Sequence, residues 1–196
     1  MERGGDVPKA SKREDLLASA LEVFHTRGFH GTGIQEIADA AGAPKGSFYN
    51  HFASKEEAAV EALRRYGAGR RFDILGDTSL PPLDRIRRHF EFLRDENVER
   101  GFTRGCLVGN FATGVADHSE AIRAAVLEGL RTWSEAIAAA LAEARRDGSV
   151  RPGLDPDETA RFLLNAWEGT LIEARAGRSQ AAFDTFFTMA FDVVLR

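Results

Sequence analysis

From Ser11 almost to the C-terminus the apolar residues recur three and four positions apart, the spacing of helices that each bury one stripe. Leu17, Ala20, Leu21 and Phe24 form the first stripe, and Gly28 ends it. Ile34, Ile37, Ala38 and Ala41 form a second, closed by Gly42. Pro44 then opens a short third helix, because proline fits a first helical turn. Ser54-Lys55-Glu56-Glu57 has capping-box spacing and starts a fourth. Beyond a linker at Gly76–Pro82, helices are predicted at Leu83–Asn97, Cys106–Val115, Ser119–Arg146, Pro156–Ala176 and Ser179–Leu195. No segment combines strand alternation with turn chemistry, so the fold class is all-α. The chain divides into an N-terminal arm (1–10), a three-helix head (11–56) and a larger helical body (57–196).

Several classes of function find no support. Cys106 is the only cysteine, so neither an intrachain disulfide nor a Cys-rich metal cage can form. The five histidines are scattered without ligand spacing, and no metal site or cofactor is expected. There is no GxSxG, P-loop or dinucleotide fingerprint to suggest an enzyme. Glu56-Glu57 and the pair Asp155/Asp157 read instead as first-turn charges that favour the helix dipole. No apolar run has the length of a bilayer span and the first residues lack a signal-peptide core, which predicts a cytoplasmic protein with no membrane partner. The net charge of −4 argues against indiscriminate polyanion binding, but its distribution is uneven. Residues 1–55 carry seven basic and seven acidic side chains, so the whole excess lies in residues 56–196.

A neutral head on an acidic body is compatible with DNA binding, and the head's residues make that specific. Thr32-Gly33-Ile34-Gln35 has a cap residue three positions before Gln, which predicts Thr32 at the start of the second helix. Such a start offers free N–H groups to a phosphate. The second helix breaks at Gly42-Ala43 and the third follows at once, the arrangement of a helix-turn-helix. Phe48 and Phe52, four apart, point inward together, which turns Gly46, Ser47, Tyr49 and Asn50 outward with Lys45 and His51 on the flanks. That face is small, polar and basic at its edges. Gly46 permits close backbone approach, Ser47, Tyr49 and Asn50 offer hydrogen-bonding groups, and Lys45 and Lys55 can neutralise phosphates.

The string from Gly28 through GFHGTGIQEIADAAGAPKGSFYNHF to Phe52, followed by Ser54-Lys55-Glu56, resembles the TetR-type repressors. The resemblance implies an N-terminal DNA-binding head on a helical ligand-sensing and dimerisation body, with a homodimer bound to a palindromic double-stranded operator and released by a small molecule. It further implies phosphate contacts from Thr32, Tyr49, His51 and Lys55, and base-edge or backbone contacts from Lys45, Gly46 and Ser47.

The last two helices are apolar on more than one side. Phe183, Phe187 and Phe191 mark one face of the final helix, and Met189 and Val193 another. Leu163, Trp167 and Leu171 mark one face of the helix before it, and Phe162, Asn165, Gly169 and Ile172 a second. Helices apolar on two sides need two partners. The second is expected to be the same helix pair of another copy, in a two-fold interface built on Phe162, Asn165, Gly169, Phe183, Phe187 and Met189. A core internal to one chain is the rival reading.

Arg104-Gly105-Cys106-Leu107-Val108-Gly109-Asn110-Phe111 sets the lone cysteine at a helix start beside a guanidinium, and both influences favour thiolate. The alternative is a small buried hydrophobe. RGCLVGN, with Trp167-Glu168-Gly169 further on, is similar to a TetR-type branch that regulates the disposal of reactive electrophiles or acrylate-type compounds, and implies Cys106 as its switch. In that branch a lysine follows the WEG string. Here Arg175 stands in the corresponding place, and arginine keeps its proton, so charge pairing survives there and amine acid–base chemistry does not. The sensing residues expected are Cys106, Asn110, Phe111, Trp133, Trp167 and Arg175, with Phe90, Leu93 and Thr170 completing a pocket. The function expected is a repressor released by a small-molecule or electrophile signal. The alternatives are a DNA-binding protein without an effector and a small helical enzyme.

Overall fold

The computed structural model describes residues 11–196, and the arm expected at 1–10 lies outside them. Among the described residues every regular element is helical. The head holds α1 (Lys12–Arg27), α2 (Ile34–Ala40) and α3 (Lys45–Tyr49). The helix α4 (Lys55–Ala68) runs from the head into the body, across the boundary expected at 56. The body adds α5 (Phe72–Gly76), α6 (Pro82–Glu99), α7 (Leu107–Gly114), α8 (Glu120–Asp147), α9 (Pro156–Gly177) and α10 (Ala181–Thr188).

Two stretches differ from the sequence expectation. Five residues are too short to declare a helical period, so α5 is an element the sequence does not announce, while the linker expected at Gly76–Pro82 stands as 77–81. The single helix expected at Ser179–Leu195 becomes α10 followed by a wider π turn over Met189–Val194, where the Leu195 N–H bonds the Ala190 carbonyl at 3.1 Å.

Caps fix most helix starts. Ser11, Ser54, Ser119 and Asp155 each accept a backbone N–H three residues on. The second helix is capped differently from the expectation. Gly33, not Thr32, is its N-cap, and the Glu36 carboxylate takes the Gly33 N–H at 2.8 Å. Thr32 turns inward because its hydroxyl bonds the Gly28 carbonyl at 2.7 Å, which satisfies the end of α1. Gly42 adopts φ +58°, a left-handed turn that suits glycine and hands the chain directly to α3.

The spine of the body is α8, 28 residues long, which contacts α4, α5, α6, α7 and α9. Phe90, Trp167, Phe183 and Phe186 pack across α6, α9 and α10 with ring centroids 4.9–5.3 Å apart. Aromatic clusters of this kind contribute large buried areas, and this one holds the two C-terminal helices against α6.

Candidate functional site

In the head, Phe48 and Phe52 are buried as their spacing predicts. Phe48 meets the Tyr49 ring edge-on at 5.6 Å and props it outward, where Tyr49 is 53% exposed. Lys45, Gly46 and Asn50 are exposed, and Ser47 and His51 half-buried. A Cβ added at Gly46 would meet nothing within 4 Å, so the backbone there is open to a surface approaching closely.

Two residues assigned to phosphate are differently placed. Thr32 is 2% exposed with both its hydroxyl and its N–H committed inside the head, which withdraws it from a DNA surface. Lys55 donates to the carbonyls of Phe29 and Thr32, both at 3.0 Å, with its ammonium 4.2 Å from the Phe29 ring centre. Two of its three donors therefore hold the α1–α2 turn, and one is left over.

Besides the continuous helix α4, the segment 104–114 ties the body to the head. Arg104 forms a two-pronged ion pair with Glu22 of α1 at 2.6 and 2.7 Å. His25 of α1 bonds the Gly105 carbonyl at 3.0 Å, and His30 bonds the Gly114 carbonyl at 3.1 Å. Phe111 packs against Phe24 and Phe29 with centroids 5.8 and 6.1 Å away. The string that stands out in the sequence is thus part of the joint between head and body.

Cys106 lies inside that joint, 4% exposed, as the N-cap of α7. The guanidinium expected to activate it is occupied, since Arg104 turns to Glu22. The thiol instead adjoins the Tyr66 hydroxyl and the Glu168 carboxyl. Burial, and then the Glu168 charge, push the thiol above its ordinary range, so in this conformation it is protonated and the thiolate expected from the sequence is not favoured. Burial also raises the Tyr66 phenol and the Glu168 carboxyl.

The other residues expected to sense scatter. Phe111 and Trp167 are 1% exposed and belong to packed aromatic groups. Phe90 and Leu93 are likewise core, and Thr170 faces the outer groove of α9. Asn110 donates to the Arg104 carbonyl at 2.9 Å and accepts from Arg175 at 3.4 Å. Arg175 therefore reaches the joint through an amide rather than a carboxylate. Trp133 donates to His89 at 2.8 Å and lines a cavity of about 230 Å³ between α4 and α8. Tyr66, Arg70, Val108 and Gly129 share that cavity. Arg70 is tied to Glu96 at 2.6 Å and stacks over the Tyr66 ring at 4.1 Å. Tyr66 thus connects the cavity wall to the thiol, and sequence periodicity marks it only as a core position.

On the outer face of α9 and the final turns, Phe162 (54%), Ile172 (69%), Met189 (49%) and Val193 (55%) are exposed, with Asn165 and Gly169 exposed among them. Phe183 and Phe187 do not join this face. Phe183 is wholly buried against Trp167, and Phe187 stacks on Phe191 and lies near the Arg94 guanidinium within its own chain.

Among the described residues no helix is long and apolar enough to cross a membrane, and no group of three metal-ligating side chains occurs. Residues 16–62 match the family described as bacterial regulatory proteins, tetR family, and residues 82–190 match the tetracyclin repressor-like C-terminal domain. The chain is 33% identical over 186 residues to the HTH-type transcriptional repressor DhaR of Mycobacterium sp., covering 93% of this chain and 92% of that one. A regulatory protein TetR from Rhodobacter sphaeroides has the same fold (TM-score 0.86, 29% identity, 93% of this chain and 98% of that one). The reduced form of E. coli NemR is similar as well (TM-score 0.84, 29% identity, 94% and 98%). The chain belongs to the TetR family: it is a DNA-binding transcription regulator and not an enzyme, of a family that acts as dimers on operators under the control of small molecules.

Proposed function

We propose that this protein is a repressor whose homodimer holds a two-fold symmetric operator and releases it when a small reactive electrophile or oxidant acts at Cys106, or when a small molecule fills the adjoining cavity. The observation that carries this reading is the position of the thiol: the two residues before it are bonded to α1 of the head. Any change in size or charge at Cys106 strains those bonds first. The names of the relatives agree with it, since DhaR and NemR are called repressors and the NemR structure is described as a reduced form. The cavity of about 230 Å³ is smaller than ordinary ligand pockets of about 300–1,000 Å³ and suits a compact effector.

On the DNA, Lys45, Gly46, Ser47, Tyr49 and His51 make the contacts, helped by the free donor of Lys55. Two heads about 34–36 Å apart dock in successive major grooves. Moving either head removes simultaneous docking and the avidity that goes with it. The test is fluorescence anisotropy on the duplex upstream of the gene, before and after acrylamide treatment, for wild type and Cys106→Ser. Loss of binding in wild type but not in the variant is the expected result. Equal loss in both would return Cys106 to the core.

A further inference from the structure

Two strings stand out in the body sequence, RGCLVGN leading into α7 and Trp167-Glu168-Gly169 on α9, and the fold joins them at one point. Gly109 faces α9 without a side chain, and a Cβ there would overlap the Glu168 carboxylate oxygen Oε2. The same Cβ would lie 3.8 Å from the Cys106 Cβ. The missing methyl is therefore a notch that lets a carboxyl group reach the cysteine. The other oxygen, Oε1, is buried and has no hydrogen-bond partner. A buried carboxylate oxygen without a donor is costly, and such orphans call for an explanation.

We propose that Glu168 is the base that takes the proton from the Cys106 thiol when an α,β-unsaturated carbonyl compound enters, and that Gly109 exists to admit it. This rests on the thiol-switch reading above and assigns the residue that makes a buried thiol react. The Sγ–H proton passes to Glu168 as Sγ bonds the β-carbon of the electrophile. The electron pair of the C=C bond moves to the α-carbon and carbonyl oxygen as an enolate. Glu168 returns the proton to the α-carbon, leaving a neutral thioether and a regenerated carboxylate. No oxidant or other reactant is needed.

Two other neighbours are unsuited as the base. Tyr66 also adjoins the thiol, but burial raises its phenol, which stays protonated and serves as a donor. Arg104 is paired with Glu22. Burial holds the Glu168 carboxyl above the usual carboxylate range, the direction in which a carboxylate becomes a stronger base.

The test is the rate of acrylamide addition to Cys106 in the native full-length protein, followed by intact mass from pH 5.5 to 9.5. In Glu168→Gln the rate at pH 7 should fall at least tenfold and then rise tenfold per pH unit, as for a thiol with no internal base, while wild type rises less steeply. A purely electrostatic neighbour predicts the reverse sign, because removing a negative charge eases thiolate formation. A variant that reacts as fast as wild type, or faster, therefore overturns the assignment and leaves the thiol switch standing. A wild type that is not alkylated while folded overturns both. Gly109→Ala displaces the carboxyl without removing it and should slow alkylation like Glu168→Gln. Matched thermal melts separate loss of the base from loss of the fold, and alkylation of a folded Gly109→Ala at the wild-type rate counts against the notch.

Discussion

The imidazole of His25 lies 3.0 Å from the carbonyl oxygen of Gly105, so the first helix of the head is hydrogen-bonded to the residue just before the lone thiol. The ring also meets Tyr66 edge-on at 5.3 Å, and Tyr66 adjoins both the thiol and the cavity. One neutral imidazole thus touches the helix that supports the DNA face, the switch segment and the cavity wall.

That position makes His25 sensitive to acid. Burial lowers its pKa from 6.5 to about 4, and burial lowers His89 likewise to about 4. An imidazole with a folded value below its unfolded one gives stability that is complete above pH 6.5 and lost as pH falls from there toward 4. Each should contribute about 3 kcal/mol of this loss. In His25→Gln the amide N–H can still donate to Gly105, so stability at pH 7 should be nearly kept while roughly half the loss due to the two histidines disappears. Urea unfolding at pH 7 and pH 4.5 measures both. An unchanged acid slope would mean that His25 is already charged in the fold.

The DNA face separates from the fold by exposure. Tyr49→Ala removes a ring that is 53% exposed and should change stability by no more than about 0.5 kcal/mol. Operator affinity should fall at least tenfold, as measured by anisotropy. Lys45→Ala should weaken all sequences alike and reduce the salt slope of log K by about one for each lysine lost. A salt slope unaltered by Lys45→Ala would place that ammonium away from phosphate.

Much of this arrangement is legible in the sequence, and the exceptions share a cause. Phe48 and Phe52 announce the inward face of α3 by their own spacing, so Tyr49 can be read as outward. The caps of α4, α8 and α9 follow from single residues. What needs two distant segments at once is not legible. Thr32 has cap chemistry, but its hydroxyl goes to Gly28, and the neighbouring Gly33–Glu36 pair caps the helix. Phe183 and Phe187 are apolar on the right face for a partner, yet Trp167 and the arginines of α6 cover them. Gly109 and Glu168 are each visible in a string, and only the packing of α7 on α9 makes them one unit.

The cavity offers a separate handle on the effector. Ala125 lines it and is nearly buried, so Ala125→Leu should project its added atoms into the void rather than into solvent. Gly129 is in mid-helix with only Val108 near its absent Cβ, at 3.9 Å, so Gly129→Ala should stabilise α8 by about 1 kcal/mol. Both variants should bind operator as wild type does. Ala125→Leu should blunt release by a reversible effector while leaving acrylamide addition at Cys106 intact. Undiminished release would move the effector site elsewhere.

The exposed face of α9 makes the oligomeric state testable without disturbing the protomer. A Cβ at Gly169 would meet nothing within 4 Å of its own chain, and the residue is exposed between Phe162 and Ile172. Gly169→Leu therefore meets no clash at its Cβ within the monomer and removes a helix-destabilising glycine, so its own fold should be at least as stable. At a close two-fold contact the same side chain meets its copy and holds the helices apart. Light scattering should show wild type as a dimer and Gly169→Leu shifted toward monomer, with operator affinity falling in parallel because one head alone lacks the avidity of two. A variant that remains a tight dimer with full affinity would move the interface off this face, and the exposed Phe162, Ile172, Met189 and Val193 would then need another partner.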